Sequence, residues 1–398
     1  MPTPTSDIRG PFRAALPAVL FVSAIFFLNF LSRVMLAPVM PLVQADLGFA
    51  HTGAGVVFMV HGAGNALGLL LCGFLSRAAT HRRTVGISSL LVGAAALTVP
   101  LAGTYAWLLT AVFVLGVCVG LYLPSGIATI FSLIRKEDWG KAMAVHELAP
   151  NLAYVAAPLL AEAVLLHYDW RAPFVLLGAV QIVLGLWFIR SGRGGNFPGV
   201  VPGPRLMLSI LRRSDFWLLV LFFSLGVGAS VGPYAMLPLY LADVHGFERE
   251  TANRLLAVSR VLACATPFVA GWITDRWGPR PAILLCLLLS GGGLLALGLC
   301  SGPALVAAVL FQPTASVLMF APGFTMLSTI FPPEQRSVAV ALMGPPNALI
   351  GLGVVPTFLG AMGDAGYFHY GFAVQGCLLL ASIALLRRLP AGTGGRVD

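Results

Sequence analysis

The sequence predicts an all-α polytopic membrane protein: twelve transmembrane helices in two parallel six-helix halves, with both termini in the cytoplasm. Three observations predict this fold: the composition, the number of membrane-length apolar runs, and an internal repeat. Of the 398 residues, 58% are hydrophobic and only 10% are charged, and the mean hydropathy is +0.90. Water-soluble domains carry about 25% charged residues. Most of the surface of this chain is therefore expected to face lipid.

Twelve apolar runs are long enough to cross a bilayer, which takes about 20 largely apolar residues. We number them spans 1 to 12. They lie near residues 15–42, 53–76, 84–103, 106–133, 142–165, 172–190, 216–242, 252–275, 281–300, 303–331, 337–361 and 369–388. The first run is too long for a cleavable signal peptide and further spans follow it, so we expect span 1 to act as its own insertion signal.

Basic residues fall mainly in the loops on one side of the predicted membrane. The opposite loops hold Arg171, Arg249 and Arg254, which nearby carboxylates offset. Cytoplasmic loops of membrane proteins carry an excess of Lys and Arg, so this bias places both termini in the cytoplasm. The formal net charge of +9 is thus explained by topology, and we expect no binding of nucleic acid.

The second half of the chain repeats the first. Residues 41–49 match residues 238–247 with one residue inserted, and Gly73 matches Gly271 at an offset of 198 positions. Six spans separate the copies, so the halves share one orientation. A Gly- and Pro-rich segment joins them, which predicts a flexible connection. We divide the chain into a bundle at 1–190, a cytoplasmic linker at 191–214 and a second bundle at 215–398.

The loop between spans 8 and 9 carries the most specific motif, the segment Gly271–Arg280. It resembles the loop signature G-x-x-x-D-R-x-G-x-R of the major facilitator superfamily, and every fixed position is filled. Those positions are Gly271, Asp275, Arg276, Gly278 and Arg280. We expect Gly271 to let two helices approach closely and Gly278 to permit the sharp reversal. The resemblance implies a clamp between two helices that opens during transport, with Asp275 facing a helix end.

The first half departs from this signature. Its copy of the loop keeps Gly73 and a basic end, but Arg77 stands where the signature has Asp. We therefore expect the clamp in the first half to be weaker or to differ. The resemblance also implies that the substrate site lies between the halves near mid-depth, lined by spans 1, 4, 7 and 10.

Two arginines and one histidine inside the spans are the main candidates for substrate binding: Arg33 in span 1, Arg260 in span 8 and His61 in span 2. Inserting an arginine at the centre of a span costs at least about 2.5–3.5 kcal/mol of free energy, so each arginine is expected to have a binding or structural role. The set resembles the anion-handling branches of the superfamily, namely the organic anion:cation symporters and the oxalate and nitrate carriers. There such residues bind the carboxylate or oxyanion of the substrate, which suits the paired donors of guanidinium.

A structural role is the alternative for each of these three residues: the arginines would pair with protein groups and hold helices together, and His61 would be a packed histidine. Four more polar residues on presumed cavity helices could orient a substrate through hydrogen bonds. They are Asn29, Tyr122, Tyr234 and Gln312.

Glu147 and His61 are the candidate proton carriers, because a carboxyl group buried in a span can hold a proton near neutral pH. Glu147 could equally form a clamp with Lys141 or with a loop arginine. Glu162, close to the outer end of span 5, is expected at the membrane interface.

The function predicted from these residues is secondary active transport of a small organic anion by alternating access, with H⁺ as the coupling ion in symport. We expect a monomer in the cytoplasmic (inner) membrane. The alternative is an efflux antiporter of the same fold, although residues 148–158 lack the G-x-x-x-G-P-x-x-G-G pattern of such antiporters. A non-transporting sensor also remains open.

An enzyme is not expected. His146-Glu147 begins like the zinc motif H-E-x-x-H, but Pro150 occupies the place of the second histidine. No phosphate-binding loop or serine elbow is present. The six cysteines lie in or beside apolar runs without a C-x-x-C pair, so the sequence predicts neither a metal nor a cofactor.

Overall fold

A computed structural model describes residues 11–200 and 203–389, and it confirms the all-helical architecture. Within these ranges twelve helices are long and apolar enough to cross a membrane. Spans 1 to 6 are Phe12–Leu47, His51–Ala79, His81–Leu101, Tyr105–Leu133, Lys136–Leu165 and Ala172–Ser191. Spans 7 to 12 are Ser214–His245, Arg249–Trp277, Pro279–Leu299, Gly302–Ile330, Pro333–Asp364 and Phe368–Leu386. The apolar runs of the sequence predicted every one of them, with boundaries that differ by at most six residues.

Proline explains where several spans are interrupted. The regular helix of spans 1, 4 and 8 stops after Val34, Gly120 and Ala263. Each of these residues lies four positions before a proline, whose ring clashes with the carbonyl of that residue and cannot donate a hydrogen bond to it. The prolines are Pro38, Pro124 and Pro267. Irregular backbone is thereby placed near mid-depth, close to the boundary between the halves.

The segment between spans 6 and 7 marks one end of the bundle, which we call the linker end, and the opposite end is the far end. The linker is more ordered than the sequence predicted. Arg82 N donates to Gly195 O at 2.9 Å, and Gly199 N donates to Ser76 O at 3.0 Å. Residues 194–199 therefore extend the first half, and the expected flexible connection is wrong for this part. A short helix follows at Pro204–Leu211.

Spans 5 and 8 join the two halves through an ion pair near the far end. Arg249 donates from Nε and Nη2 to the two carboxylate oxygens of Glu162, both at 3.1 Å. Asn253 Nδ2 also donates to Glu162, at 2.6 Å, and to Pro38 O at 3.1 Å. We call Glu162, Arg249 and Asn253 the far-end lock. Only 16% of the Glu162 side chain is exposed, and Glu162 lies three residues before the end of span 5 at Leu165.

The main chains of spans 2 and 11 approach each other closely across the boundary between the two halves. A Cβ atom added at Gly55 would lie 2.6 Å from Pro356 O and 2.7 Å from Thr357 N. One added at Gly360 would lie 2.7 Å from the carbonyl carbon of His51, and real Cβ atoms do not come within 3.0 Å of other atoms. Gly62 and Gly353 make similar approaches. We call these four glycines and their contacts the span 2/11 seam, and it requires residues without side chains.

The structure is closed at the far end. Within residues 11–200 and 203–389, the hydrogen bonds and ion pairs between the halves lie between mid-depth and that end. Asp364, for example, accepts from His51 N at 2.7 Å and from Thr52 N at 2.8 Å. The basic loops predict that the linker end is cytoplasmic, so the closed end is the outer one.

Replacing Glu162 with Gln is expected to lower the ratio of far-end-closed to far-end-open molecules about tenfold, because Arg249 loses a two-point charged partner. Tenfold corresponds to about 1.4 kcal/mol. Spin labels at the exposed positions Leu166 and Tyr367, one in each half, would report the distance across the far end by double electron–electron resonance. The matched control is Glu250→Gln, which removes the exposed pair with Arg254 within span 8 and should leave the distances unchanged. Identical distance distributions in Glu162→Gln and the wild type would contradict the expectation.

Candidate functional site

A small cavity of about 20 Å³ lies between the halves near mid-depth in this conformation, which is room for about one water molecule. Spans 1, 2, 7 and 11 line it, and its wall is mostly apolar. The lining residues are Arg33, Val34, Phe58, His61, Val231, Tyr234, Ala235 and Leu352. Three of the residues predicted to bind substrate, one of them charged, therefore share one small space, and no carboxylate is among the residues that line it.

Arg33 presents its guanidinium group to this cavity. The group lies 4.3 Å from the centre of the Phe30 ring on the same span, which is a cation–π distance. Among the described residues no hydrogen bond or ion pair to the Arg33 side chain is found. A guanidinium group at this depth is normally paired. Its donors are thus available to a ligand, and the structural alternative, a helix-locking ion pair, finds no support.

Arg260 is placed differently, because protein groups surround it. It is 3% exposed, and it lies 4.4 Å from the Tyr154 ring centre and 5.0 Å from that of Tyr234. Its Nη1 donates to Ser230 Oγ at 3.0 Å and its Nη2 to Ser230 O at 2.6 Å. Arg260 therefore sits behind the cavity wall that Tyr234 forms, with only its Nε lacking a partner.

His61 and Asn29 bring unpaired donors or acceptors into the same region. They are 2% and 1% exposed, and neither His61 Nε2 nor Asn29 Nδ2 has a hydrogen-bond partner among the described residues. His61 lines the cavity, and Asn29 lies one helical turn before Arg33. Buried polar atoms are nearly always hydrogen-bonded, so both atoms are suited to contact a ligand or a water molecule.

Two other predicted residues lie away from the cavity lining. Tyr122 packs toward the linker end, where its hydroxyl donates to Val22 O at 2.8 Å. Gln312 donates to Ala229 O at 2.5 Å and thereby holds span 10 against span 7. In this conformation both side chains make contacts within one half of the protein.

Tyr154 is a residue of the site that sequence reasoning missed. Its ring contacts Tyr234 at 4.6 Å and Phe30 at 5.2 Å, both edge to face. Span 5 is not among the helices that the sequence predicts to line the cavity, so Tyr154 was not a candidate. The repeat held a usable signal: at an offset of 198 positions Tyr154 corresponds to Leu352, and Arg33 corresponds to Val231. Leu352, Arg33 and Val231 all line the cavity.

Glu147 lies on span 5 toward the linker end, with 53% of its side chain exposed. Its Oε1 is 3.1 Å from Nδ1 of His146. Lys141 pairs instead with Asp138 at 2.7 Å, so the alternative of a clamp between Glu147 and Lys141 is wrong. Within the described residues, no Lys or Arg pairs with Glu147.

Comparison with known proteins assigns the family. The sequence model of the Major Facilitator Superfamily matches residues 22–265 and again residues 249–397. The chain belongs to this superfamily. Among its relatives, the multidrug resistance protein MdtL of Klebsiella pneumoniae (strain 342) is 21% identical over 65% of this chain and 67% of its own length. The probable sulfoacetate transporter SauU of Cupriavidus necator is 22% identical over 76% of this chain and 74% of its own length.

Solved structures of transporters share the fold. A bacterial homologue of the human lysosomal transporter Spinster, inward-facing and unoccupied, superposes with a TM-score of 0.76 at 16% identity and covers 97% of both chains. The D-xylose–proton symporter gives a TM-score of 0.78 at 15% identity, with 96% of this chain and 99% of the other covered. The family and these relatives are transporters, so the chain is a multi-pass membrane transporter and not an enzyme.

The superfamily loop at Gly271–Arg280 is in an unclamped arrangement. Gly278 has a φ of +85°, a conformation that favours glycine, as predicted. No atom lies within 4 Å of a Cβ built at Gly271, so the expected close helix approach is wrong for this state. Asp275 is exposed and, in the described part of the chain, has no hydrogen bond or ion pair. Arg276 lies 5.8 Å from the Trp272 ring centre. These observations fit a bundle that is closed at its far end only.

Proposed function

We propose that this transporter moves a small organic anion across the cytoplasmic membrane by alternating access, as a monomer and in symport with protons. The observation that carries the proposal is Arg33, a guanidinium group in the central cavity that has no hydrogen-bond or ion-pair partner among residues 11–200 and 203–389. Residues 1–190 and 215–398 would move as the two bundles, and a passenger in the cavity would contact both.

The surroundings of Arg33 favour one negatively charged group on an otherwise apolar body. A guanidinium group binds the two oxygens of a carboxylate or sulfonate through parallel hydrogen bonds. Arg260 already donates two hydrogen bonds to Ser230. We therefore expect it to stabilise a bound anion through its positive charge rather than through direct hydrogen bonds. His61 and Asn29 offer further polar contacts. SauU, named as a probable sulfoacetate transporter, is a relative that fits this class of substrate.

Proton coupling is assigned in this proposal to Glu147 and His61. Glu147 is half-exposed on the side of the cavity toward the linker end, and His61 touches the space in which the anion would bind. An anion that enters together with a proton moves with less net charge, which lowers the cost of passing through a low-dielectric site.

Drug efflux by antiport is the second candidate, and the similarity to MdtL favours it. The aromatic wall of Phe58, Tyr234 and the nearby Tyr154 would suit a lipophilic compound. A cationic drug, however, would meet the unpaired Arg33 and no lining carboxylate. The proposal of anion uptake therefore fits the cavity better.

Purified protein in liposomes should accumulate at least one anion from a radiolabelled panel of acetate, lactate, benzoate, succinate and sulfoacetate when the outside is acidic. Accumulation should be at least tenfold above protein-free liposomes and should collapse with a protonophore. Export of ethidium driven by the opposite proton gradient, with no uptake of any anion in the panel, would instead establish the efflux candidate.

A further inference from the structure

A chain of polar groups crosses three spans of the first half, nearer the linker end than the cavity. The Tyr122 hydroxyl of span 4 lies 2.8 Å from Val22 O of span 1 and 3.2 Å from Nε2 of His146 in span 5. Nδ1 of His146 lies 3.1 Å from Oε1 of Glu147. His146 and Tyr122 are fully buried, whereas the Glu147 side chain is 53% exposed. The chain thus leads from a half-exposed carboxylate to a buried imidazole.

The hydrogen bonds of this chain fix the position of each proton except the one between His146 and Glu147. A carbonyl oxygen only accepts, so the single hydroxyl proton of Tyr122 goes to Val22 O. The Tyr122 oxygen can then only accept from His146, which puts a proton on Nε2. A neutral imidazole has one N–H, so Nδ1 is left with a lone pair that faces a carboxylate oxygen of Glu147. Two acceptors at 3.1 Å repel unless a proton lies between them.

We propose that His146 and Glu147 together bind one proton from the water at the linker end, and that this shared proton is the coupling proton of transport. The inference rests on the proposed function for its second part only. The proton is held either as imidazolium with carboxylate or as neutral imidazole with carboxylic acid. The two forms differ only in which atom carries this proton. Loss of the proton leaves the two acceptors, Nδ1 of His146 and Oε1 of Glu147, facing each other without a hydrogen bond.

An aromatic column links this pair to the cavity. The Phe26 ring of span 1 stacks on the His146 ring at 4.3 Å with an interplanar angle of 6°. Phe26 contacts Phe30 edge to face at 6.0 Å, and the Phe30 ring lies under the Arg33 guanidinium at 4.3 Å. A cationic imidazole over an aromatic face is attracted to it. Protonation therefore changes how firmly span 5 holds span 1, which carries Arg33.

Few other charges bear on the pair. Within the described residues, the side chains that contact the His146 ring are Glu147 on its own span, Tyr122 on span 4 and the uncharged Phe26 on span 1. Other charged groups on span 5, or on spans 1 and 8, have partners of their own or lie nearer mid-depth. Among them are Asp138 with Lys141, Glu162 with Arg249, Arg260 with Ser230, and Arg33 over Phe30. Lys136 and Glu137 are exposed at the start of span 5, and Arg13 is exposed at the start of span 1.

The direct test follows the His146 ring nitrogens by ¹⁵N nuclear magnetic resonance of histidine-labelled protein in detergent, without any substrate. His146→Gln assigns the signal. In the wild type one protonation step should appear on the pair as pH is varied. In Glu147→Gln the amide donates to Nδ1, so the step should vanish and His146 should stay neutral with its proton on Nε2. A His146 signal that titrates alike in the wild type and Glu147→Gln would overturn the shared proton.

The coupling part is tested in vesicles loaded with the pH-sensitive dye pyranine, using whichever anion of the panel is taken up. In Glu147→Gln and His146→Gln, gradient-driven accumulation should fall at least tenfold more than anion exchange at equal pH on both sides. Glu137→Gln, which removes an exposed carboxylate at the start of span 5, is the control and should behave as the wild type. Equal losses of accumulation and exchange, or no loss of either, would overturn the coupling role. If the wild type moves no anion, the proposed function fails and the resonance experiment still decides the proton site.

Discussion

Arg33→Gln is expected to weaken binding of the transported anion about 100-fold. The cavity wall is mostly apolar, so a charged pair formed there is poorly screened, and losing one partner of such a pair typically costs about 2–5 kcal/mol. At about 1.4 kcal/mol per factor of ten, a 100-fold loss corresponds to about 2.8 kcal/mol, which lies within this range. Isothermal titration with the anion that the uptake screen identifies would measure it.

Two further variants separate charge from geometry at this position. Arg33→Lys keeps the charge but loses the planar fork, so we expect a loss of about tenfold. Arg193→Gln removes the same charge from an exposed position in the linker and should leave affinity unchanged. Wild-type affinity in Arg33→Gln would remove the basis of the proposed anion site, whatever the uptake screen shows.

Gly55→Ala is expected to abolish transport by preventing closure of the far end. The new methyl group would meet Pro356 O at 2.6 Å and Thr357 N at 2.7 Å, and main-chain atoms cannot turn aside as side chains do. Overpacking of this kind typically costs about 1–3 kcal/mol, and each 1.4 kcal/mol lowers the closed-to-open ratio about tenfold. The Leu166 to Tyr367 spin-label distance should shift toward longer values.

The matched control for the seam is Gly292→Ala. This glycine is also helical, but no atom lies within 4 Å of its built Cβ, so the substitution should leave both transport and the spin-label distance at wild-type values. A Gly55→Ala protein that still transports, with the wild-type distance distribution, would show that spans 2 and 11 separate more easily than their packing indicates.

The importance of polar and charged residues within spans was predictable, because such a residue in an apolar run carries a free-energy cost and is expected to have a binding or structural role. Arg33 and His61 were found in this way, and both line the cavity. What holds Arg260 could not be foreseen. Its partner Ser230 lies 30 residues earlier in the chain, on a different span, and no periodicity ties the two together.

Contacts between the halves were equally hidden. The Glu162–Arg249 pair joins residues 87 positions apart, and hydropathy places each of them only near a membrane surface. The linker was misjudged for a related reason: its Gly and Pro content predicts flexibility, yet Gly195 and Gly199 hydrogen-bond to the ends of spans 2 and 3. Composition indicates which conformations an isolated segment can adopt, whereas contacts with neighbouring residues determine the conformation in the folded protein.

The span 2/11 seam has a genetic consequence that the far-end lock does not share. A charge lost from the lock can be restored from the other side, for example by exchanging the charges of Glu162 and Arg249. A methyl group added at Gly55 collides with the main chain of Thr357 and Pro356, which no substitution can trim. A substitution at Gly55 therefore cannot be compensated by shortening a side chain at Pro356 or Thr357, and reversion at Gly55 itself is the direct repair.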